Sequence, residues 1–325
     1  MSAQTRPLDL NQTPALQVEG LTKTFNGFRA VRDVSFTVPN GSITGFLGPN
    51  GAGKTTTLRM ALGVIRPDSG TARLFGEPPT TRAMDRVGFL PEERGVYRKM
   101  TAEAVITLFA RLKGVPAGQA RARAREALEK FGLGASGQKK IKELSKGMAQ
   151  KVQIIAALIH EPDFIILDEP FSGLDPVNQA LLEQMIRDQA AAGRTVLFST
   201  HVMEQAERVC DRIVLMARGQ KIFDGRVDEA LAVVPRIVTI GVASQDDHTA
   251  LLARFGEVER GETDIDGNAV WRVTLQSGTD PQQLLKACVE AGVKLTRFEP
   301  VRPHLHDAFV RLVSSPASAR TVETV

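Results

Sequence analysis

The stretch Gly48-Pro49-Asn50-Gly51-Ala52-Gly53-Lys54-Thr55 decides the fold, because it matches the phosphate-loop pattern GxxxxGK[ST]. Glycines let successive backbone N–H groups turn toward phosphate oxygens, Lys54 adds positive charge at the β- and γ-phosphates, and the Thr55 hydroxyl can ligate Mg²⁺. An apolar run at residues 43–47 predicts a strand before the loop, and residues 56–62 predict a helix whose positive end faces the same anion. These flanks favour a nucleoside triphosphate site over an ordinary glycine-rich turn. The residues expected to contact the nucleotide are Asn50, Gly51, Ala52, Gly53, Lys54, Thr55 and Thr56.

Length and composition predict a folded chain of two domains. The chain has 325 residues, and 42% of them are hydrophobic. No run approaches the roughly 18 apolar residues of a membrane helix, and residues 1–19 lack the apolar centre of a signal peptide. We therefore expect a cytoplasmic protein. Cys210 and Cys288 lie far apart in apolar segments, which predicts free thiols rather than a disulfide or a metal site.

The net charge of +4 is unevenly distributed. One basic region contains Arg111, Lys113, Arg121, Arg123, Arg125, Lys139, Lys140, Lys142, Lys146 and Lys151. Such a region suits nucleic acid or an anionic membrane face. It is equally compatible with a solvated helix face that Glu126, Glu129 and Glu143 balance.

Hydrophobic periodicity predicts an α/β core over residues 1–234. Strands are expected at residues 16–18, 34–38, 43–47, 71–75, 87–90, 164–167, 195–198 and 213–216. Helices without a convincing strand are expected at residues 102–112, 120–130 and 148–159. These predict a helical subdomain inserted at about residues 95–158. A hairpin at 217–225 and a helix at 227–233 close the core before Pro235.

A second, smaller domain is predicted over residues 235–313. Its expected elements are strand 236–242, helix 248–255, strand 257–260, a turn at Asp266-Gly267, strand 269–275, helix 281–291 and strand 294–298. The order βαββαβ predicts an α+β unit of the ferredoxin-like type. A last helix at 305–312 precedes a polar tail, residues 314–325, that we expect to be disordered.

Two patterns in this second domain weakly resemble metal sites. Asp264, Asp266 and Asn268 look like the opening of a calcium loop, but the glycine and the closing glutamate that such a loop requires are missing. His304 and His306 form an isolated HxH, which is more often solvated than metal-bound. We expect neither to bind metal.

A second candidate part of the active site follows the apolar run at residues 164–167. Asp168 at the end of that run is expected to hold Mg²⁺, directly or through water. Glu169 stands one residue further, where a carboxylate can face the γ-phosphate and accept a proton from the attacking water. With the phosphate loop upstream, these roles are favoured over a surface turn.

The order of the motifs resembles the nucleotide-binding subunits of ATP-binding cassette (ABC) transporters. Leu144-Ser145-Lys146-Gly147-Met148-Ala149-Gln150 is similar to their LSGGQ signature, and Ser172-Gly173-Leu174-Asp175 to their D-loop. The resemblance covers residues 15–230. It implies that Ser145, Gly147 and Asp175 contact nucleotide, that His201 is the switch histidine, and that Phe25 stacks on adenine.

Three positions depart from that pattern. Glu92 stands where the family usually has a glutamine that senses Mg²⁺ and the membrane partner, and its carboxylate can still bind the ion or water. Lys146 replaces the signature's first glycine and Met148 its glutamine. Together with Pro91-Glu92-Glu93-Arg94-Gly95, these residues are similar to a bacterial exporter branch that includes sodium and drug efflux ATPases, whose members also carry a C-terminal domain.

The resemblance implies an ATPase with ATP and Mg²⁺ that works as a homodimer. Each site is expected to combine one copy's phosphate loop with the other copy's signature, and motion is expected to pass to a separately encoded membrane permease through residues 92–100. It implies a peripheral location on the inner face of the cell membrane and no direct nucleic acid partner. Two alternatives stay open: a soluble cassette ATPase acting on nucleic acid or the ribosome, and a ligand-sensing role for residues 236–325. A guanine-reading NKxD element is absent, which disfavours a GTPase switch.

Overall fold

The computed structural model describes residues 13–92, 97–243 and 247–314. They fall into two compact units, one ending at Val227 and the other beginning at Asp228. The domain limits of 1–234 and 235–313 stay predictions. Residues 93–95 of the exporter-like motif and residues 315–325 of the predicted tail lie outside the described residues.

A three-stranded antiparallel sheet opens the first unit. Its strands are β1 (Leu16–Phe25), β2 (Phe28–Val38) and β4 (Ser69–Leu74), in the order β2-β1-β4. The predictions of strands at 16–18 and 34–38 were too short. Half-exposed residues and shifts in register interrupt the apolar alternation beyond Val18, while the backbone pairing continues to Phe25 opposite Phe28.

A six-stranded sheet carries the functional loops. Its strands are β3 (Ile43–Leu47), β5 (Val87–Leu90), β6 (Phe164–Leu167), β7 (Thr195–Thr200), β8 (Arg212–Ala217) and β9 (Gln220–Arg226). The order is β5-β6-β7-β3-β8-β9, and all pairs are parallel except β8 with β9. Because β3, β6 and β7 are neighbours, their carboxyl ends meet at one edge, where α/β sheets bind their ligands. The phosphate loop and the Asp-Glu pair therefore share that edge.

Four helices pack around these sheets. They are α1 (Lys54–Ala61), α2 (Thr81–Asp85), α6 (Pro176–Ala191) and α7 (Met203–Val209). A core cluster lies between α1 and the sheets, including buried Leu58 and Met60 against Phe46 and Ile166. This packing fixes the start of α1 next to the end of β3.

The predicted helical subdomain is confirmed by α3 (Ala102–Leu112), α4 (Ala117–Lys130) and α5 (Lys146–Leu158). Its core includes Val105, Leu128 and Ile155. Buried Glu103 on α3 accepts hydrogen bonds from Arg121 and Arg125 of α4 and from Gln138. Burial alone would raise the pKa of Glu103, but the hydrogen bonds from these two arginines hold it below its ordinary value.

The second unit has the predicted ferredoxin-like order. After α8 (Val227–Leu231), it contains β10 (Ile237–Val242), α9 (Thr249–Leu252), β11 (Gly256–Arg260), β12 (Ala269–Leu275), α10 (Pro281–Glu290), β13 (Leu295–Val301) and α11 (Leu305–Ser314). The four-stranded antiparallel sheet has the order β11-β12-β10-β13 around a core that includes Trp271. Helix α9 is shorter than predicted, and α11 extends to Ser314, where disorder was predicted to begin.

In the motif that resembles a calcium loop, the Asp264 carboxylate forms hydrogen bonds within the local turn. The Asp264 carboxylate accepts from the backbone N–H groups of Asp266 and Asn268 and from the Asn268 amide. Within residues 13–92, 97–243 and 247–314, no group of three or more His, Cys, Asp or Glu side chains is arranged to hold a metal ion. Over the same ranges no helix has the length and apolar character to cross a membrane, and both cysteines are free.

Candidate active site

The phosphate loop joins buried β3 to α1 in a conformation that requires glycine. Gly51 and Gly53 have φ angles of 78° and 96°, in the left-handed region. A Cβ atom at Gly53 would lie 2.6 Å from the carbonyl oxygen of Ala30. The loop is therefore held closely by the neighbouring backbone, and its shape excludes a side chain at that position.

Lys54, the first residue of α1, is 6% exposed. Its Nζ donates to the carbonyl oxygens of Gly48 (2.8 Å) and Pro49 (3.3 Å) and lies 3.3 Å from Oε1 of Glu169. The loop thus curls around its own ammonium group. A buried ammonium with a single carboxylate partner at a helix N-terminus is suited to the multiple negative charges of a triphosphate.

The ends of β6 and β7 bring a second group of side chains to the loop. Asp168 Oδ1 accepts hydrogen bonds from Ser199 Oγ (2.5 Å) and Thr55 Oγ1 (3.3 Å). Ser199 Oγ in turn accepts from the backbone N–H of Glu169 at 2.8 Å. One hydroxyl therefore positions both residues of the carboxylate pair. Burial raises the pKa of Asp168, and the hydrogen bonds from Ser199 and Thr55 act against that rise.

Glu169 links the loop to His201. Its carboxylate lies between Lys54 and the Nδ1 atom of His201, which is 2.9 Å from Oε2. Its φ angle of 48° is unusual for a residue other than glycine, and such strain is found at functional sites. The side chain is 8% exposed, whereas His201 is 45% exposed. The buried carboxylate of Glu169 therefore bridges the lysine of the phosphate loop and the histidine that follows β7.

The donor set next to the loop fits Mg²⁺. Asp168 Oδ2 is buried and has no hydrogen-bond partner within the described residues, while Oδ1 of the same carboxylate meets the Thr55 hydroxyl. Glu92 Oε2 lies 3.5 Å from that hydroxyl. Oxygen ligands of this kind are those that Mg²⁺ prefers. Thr55, Glu92 and Asp168, the predicted metal set, are therefore brought together.

A cleft of about 440 Å³ opens beside these residues. Its walls include Glu92, Asp168, Glu169 and, from the start of α5, Lys146. Two of the three departures from the family pattern, Glu92 and Lys146, thus line the same cleft with opposite charges. The negative charge added by Glu92 has a positive counterpart in this chain.

Ser145 and Asp175 lie at helix starts instead. Ser145 caps α5 by accepting from the Met148 N–H (3.3 Å), and Asp175 caps α6 by accepting from the Asn178 N–H (2.9 Å). Ser145 is exposed and does not line the cleft, and a Cβ atom at Gly147 would meet the Asn178 side chain. The structure does not bring these residues into contact with the phosphate loop of the same chain.

Phe25 lies at the end of β1, where 43% of its surface is exposed. Lys23 Nζ is 5.6 Å from the centre of its ring. The ring is thus partly exposed, with the ammonium of Lys23 over it. Asn50 and Gly51 are exposed, Ala52 is buried and Thr56 is partly buried at the start of α1.

Two supporting contacts were not predicted from the sequence. The sequence assigns no role to Ser199, because a serine near the end of a buried strand is not a signal by itself. Gln150 of α5 donates to the carbonyl oxygen of Pro170, which ties the signature helix to the segment after Glu169. No sequence pattern marks that contact.

Each unit matches a family model of known proteins. Residues 31–172 match the family described as "ABC transporter", and residues 235–313 match "ATP-binding protein DrrA1-3-like, C-terminal domain". The chain is 33% identical to the daunorubicin/doxorubicin resistance ATP-binding protein DrrA of Streptomyces peucetius over 97% of each chain. It is 40% identical to the Nod factor export ATP-binding protein I of Ralstonia nicotianae over 68% of this chain and 70% of the relative.

A solved structure supports the fold of the first unit. The ATP binding subunit of an ABC transporter superposes with a TM-score of 0.62 and 32% identity, covering 66% of this chain and 91% of that one. These relatives favour a transporter subunit over the alternative of an ATPase that acts on nucleic acid or the ribosome.

Proposed function

The chain belongs to the ATP-binding proteins of ABC transporters, and we propose that it hydrolyses ATP as one half of a homodimer that drives a separately encoded export permease. As a member of this family it binds ATP and couples ATP hydrolysis to transport. Subunits of this kind work with separate membrane components. The proposal adds the homodimer, the direction of transport, the location on the inner face of the cell membrane and the roles of individual residues.

The arrangement around Glu169 carries the proposal. Lys54 binds the β- and γ-phosphates of ATP, and this interaction replaces the ion pair between Lys54 and Glu169. Glu169 then accepts a proton from the attacking water, and His201, hydrogen-bonded to its other oxygen, holds the carboxylate in place. Phe25 stacks on the base, and the N–H groups of residues 50–56 surround the phosphates.

Thr55, Asp168 and Glu92 would hold Mg²⁺, which when bound neutralises charge on the phosphates. Ser199 keeps Asp168 and Glu169 in register by bonding to both. Its loss is expected to lower turnover without removing ATP binding, because Lys54 and the loop keep their own contacts.

Exposure of the signature supports the homodimer. Ser145 is exposed, and neither Ser145 nor Gly147 lines the cleft beside the phosphate loop of its own chain, so a second copy is the natural source of a closing contact over the bound nucleotide. Asp175, at the neighbouring helix start, is placed at the same junction. ATP then stabilises the dimer, and hydrolysis releases it.

Export is supported by the relatives, one named for drug resistance and one for export of a Nod factor. The path of the transported compound is expected to lie in the permease and not in this chain. Identifying the permease is therefore the way to identify the compound. Purification of the tagged chain from detergent-solubilised membranes is expected to bring down an integral membrane protein that stimulates ATP turnover. Recovery of the chain with ribosomes or nucleic acid alone would contradict the proposal.

A further inference from the structure

A basic surface of the helical subdomain takes no part in the site described above. Two backbone segments of the subdomain run antiparallel next to α3. The N–H of Ile141 donates to the Met100 oxygen (2.9 Å), and the N–H of Lys142 donates to the Arg98 oxygen (3.1 Å). These bonds fix the two segments side by side, so their side chains form one surface.

Apolar and basic side chains are separated on these segments. Ile141 is buried in the core of the subdomain, and Met100 packs against the same core. The basic residues between and beside them are exposed. We name this surface the basic face, and it consists of Arg98, Lys99, Lys139, Lys140 and Lys142.

The positive charge of the basic face is not balanced locally. Of the described carboxylates nearby, Glu143 accepts from the backbone N–H of Lys140, and Glu103 is buried and already bonded to Arg121 and Arg125. Among the described residues, none of the five cations forms an ion pair. Within residues 97–100 and 139–143, which contain these five cations, Glu143 is the single carboxylate.

From this geometry we infer that the basic face binds the anionic headgroups of a membrane surface. Clusters of four to eight Lys and Arg residues at one surface are typical of anionic lipid binding. Tyr97, which is 57% exposed and adjacent in sequence to Arg98, is a residue type enriched at membrane interfaces. Single-stranded nucleic acid would instead require several stacking aromatic rings, and the two segments of the basic face, residues 97–100 and 139–142, contain one aromatic residue, Tyr97.

The choice of membrane over nucleic acid rests on the assignment to transporter subunits, which places the chain beside a permease. Arg98 and Lys99 lie within residues 92–100, the segment expected to pass motion to the permease, so lipid contacts on this face would act beside the permease contact and add to its affinity for the membrane. They would also hold the helical subdomain, which contains the signature, in a fixed orientation to the membrane plane.

The test is flotation of the purified full chain with lipid vesicles and no permease. Vesicles of phosphatidylcholine alone are compared with vesicles that also contain phosphatidylglycerol, over a series of salt concentrations. One variant has all five residues of the basic face changed to Gln. A matched control has five exposed cations elsewhere changed to Gln, namely Arg73, Arg82, Arg111, Lys130 and Lys286. Thermal unfolding and ATP turnover of both variants show whether each is folded.

The wild-type chain is expected to float with the phosphatidylglycerol vesicles, less so as salt rises. Each cation removed from the basic face is expected to lower the partition coefficient about fivefold, whereas the control keeps most of its binding. Equal loss in both variants, or no binding by the wild type, overturns the inference. The inference is also overturned if the wild-type chain binds duplex DNA or RNA at physiological salt, and the basic-face variant loses that binding but still binds vesicles. Unchanged ATP turnover in these cases leaves the proposed function intact.

Discussion

Replacement of Glu169 by Gln separates catalysis from binding at this site. The carboxylate is the predicted proton acceptor, so its loss is expected to lower turnover by about 10² to 10⁴. The same carboxylate lies 3.3 Å from Lys54 Nζ, a gross attraction of about 5 kcal/mol at an effective dielectric constant near 20. Gln keeps an acceptor oxygen but no negative charge, so the substitution leaves the buried ammonium of Lys54 without this charged partner.

The nucleotide-free variant is therefore expected to be less stable by about 3 kcal/mol, the lower part of the range for breaking a buried ion pair. Bound ATP supplies new negative charge to Lys54, so the variant should gain more stability from ATP than the wild type does. Turnover, ATP affinity and the free energy of unfolding with and without ATP are the measurements. A stable dimer that persists in ATP is also expected, because hydrolysis no longer releases it.

Glu161 provides a matched control for this substitution. It too has a positive φ, 56° against 48° at Glu169, but its side chain is exposed and away from the loop. Glu161→Gln should keep turnover within about twofold and show no ATP-dependent gain beyond that of the wild type. Turnover of Glu169→Gln within about tenfold of wild type would refute the assignment of Glu169 as the base.

Two further predictions concern stability and the loop. Glu103→Gln removes the negative charge and one of the two oxygens that accept from Arg121 and Arg125, and it is expected to lower the free energy of unfolding at neutral pH by about 1 to 3 kcal/mol. The pKa of Glu103 in the folded protein is held below its ordinary value of 4.5. The wild type therefore keeps the stability from the ionised carboxylate above about pH 4.5 and loses it as the pH falls through the lowered pKa of the folded state, so the stabilities of the two proteins should converge in acid. A difference in the free energy of unfolding that stays constant with pH in chemical denaturation would contradict this. Gly53→Ala should abolish ATP binding measured by titration calorimetry while the chain stays folded, since its Cβ would meet the Ala30 oxygen at 2.6 Å; wild-type affinity would show that the loop has another shape.

The sequence predicts best the features in which chemistry is contiguous. The phosphate loop and the Asp168-Glu169 pair each occupy adjacent positions beside a buried strand, so their type, spacing and position were readable. Burial on both faces also made β3, β5 and β6 continuous apolar runs, and their predicted limits match the structure. In the second unit, alternation of buried and less buried residues along β12 made that strand readable from the sequence.

The features that depend on distant residues were not readable. Ser199 comes close to Asp168 only because β6 and β7 are neighbours, and a serine in a strand carries no signal by itself. Glu103 lies in the first turn of a helix, where a carboxylate is usually solvated, and only packing of α4 against α3 turns it into a buried acceptor. The hydrophobic pattern also predicts β1 and β2 to be shorter than they are. One side of each strand is half-exposed, so the alternation of apolar and polar residues is lost along it.

Mixing two inactive variants tests the central claim most directly. Lys54→Ala disables the phosphate loop and leaves the signature intact. Ser145→Ala disables the signature and leaves the phosphate loop intact. If each site combines the loop of one copy with the signature of another, a mixed dimer holds one intact site, and equal amounts of the two variants should recover about a quarter of wild-type ATP turnover when sites act independently. Turnover of the mixture no greater than that of the two variants measured separately would contradict a site shared between copies.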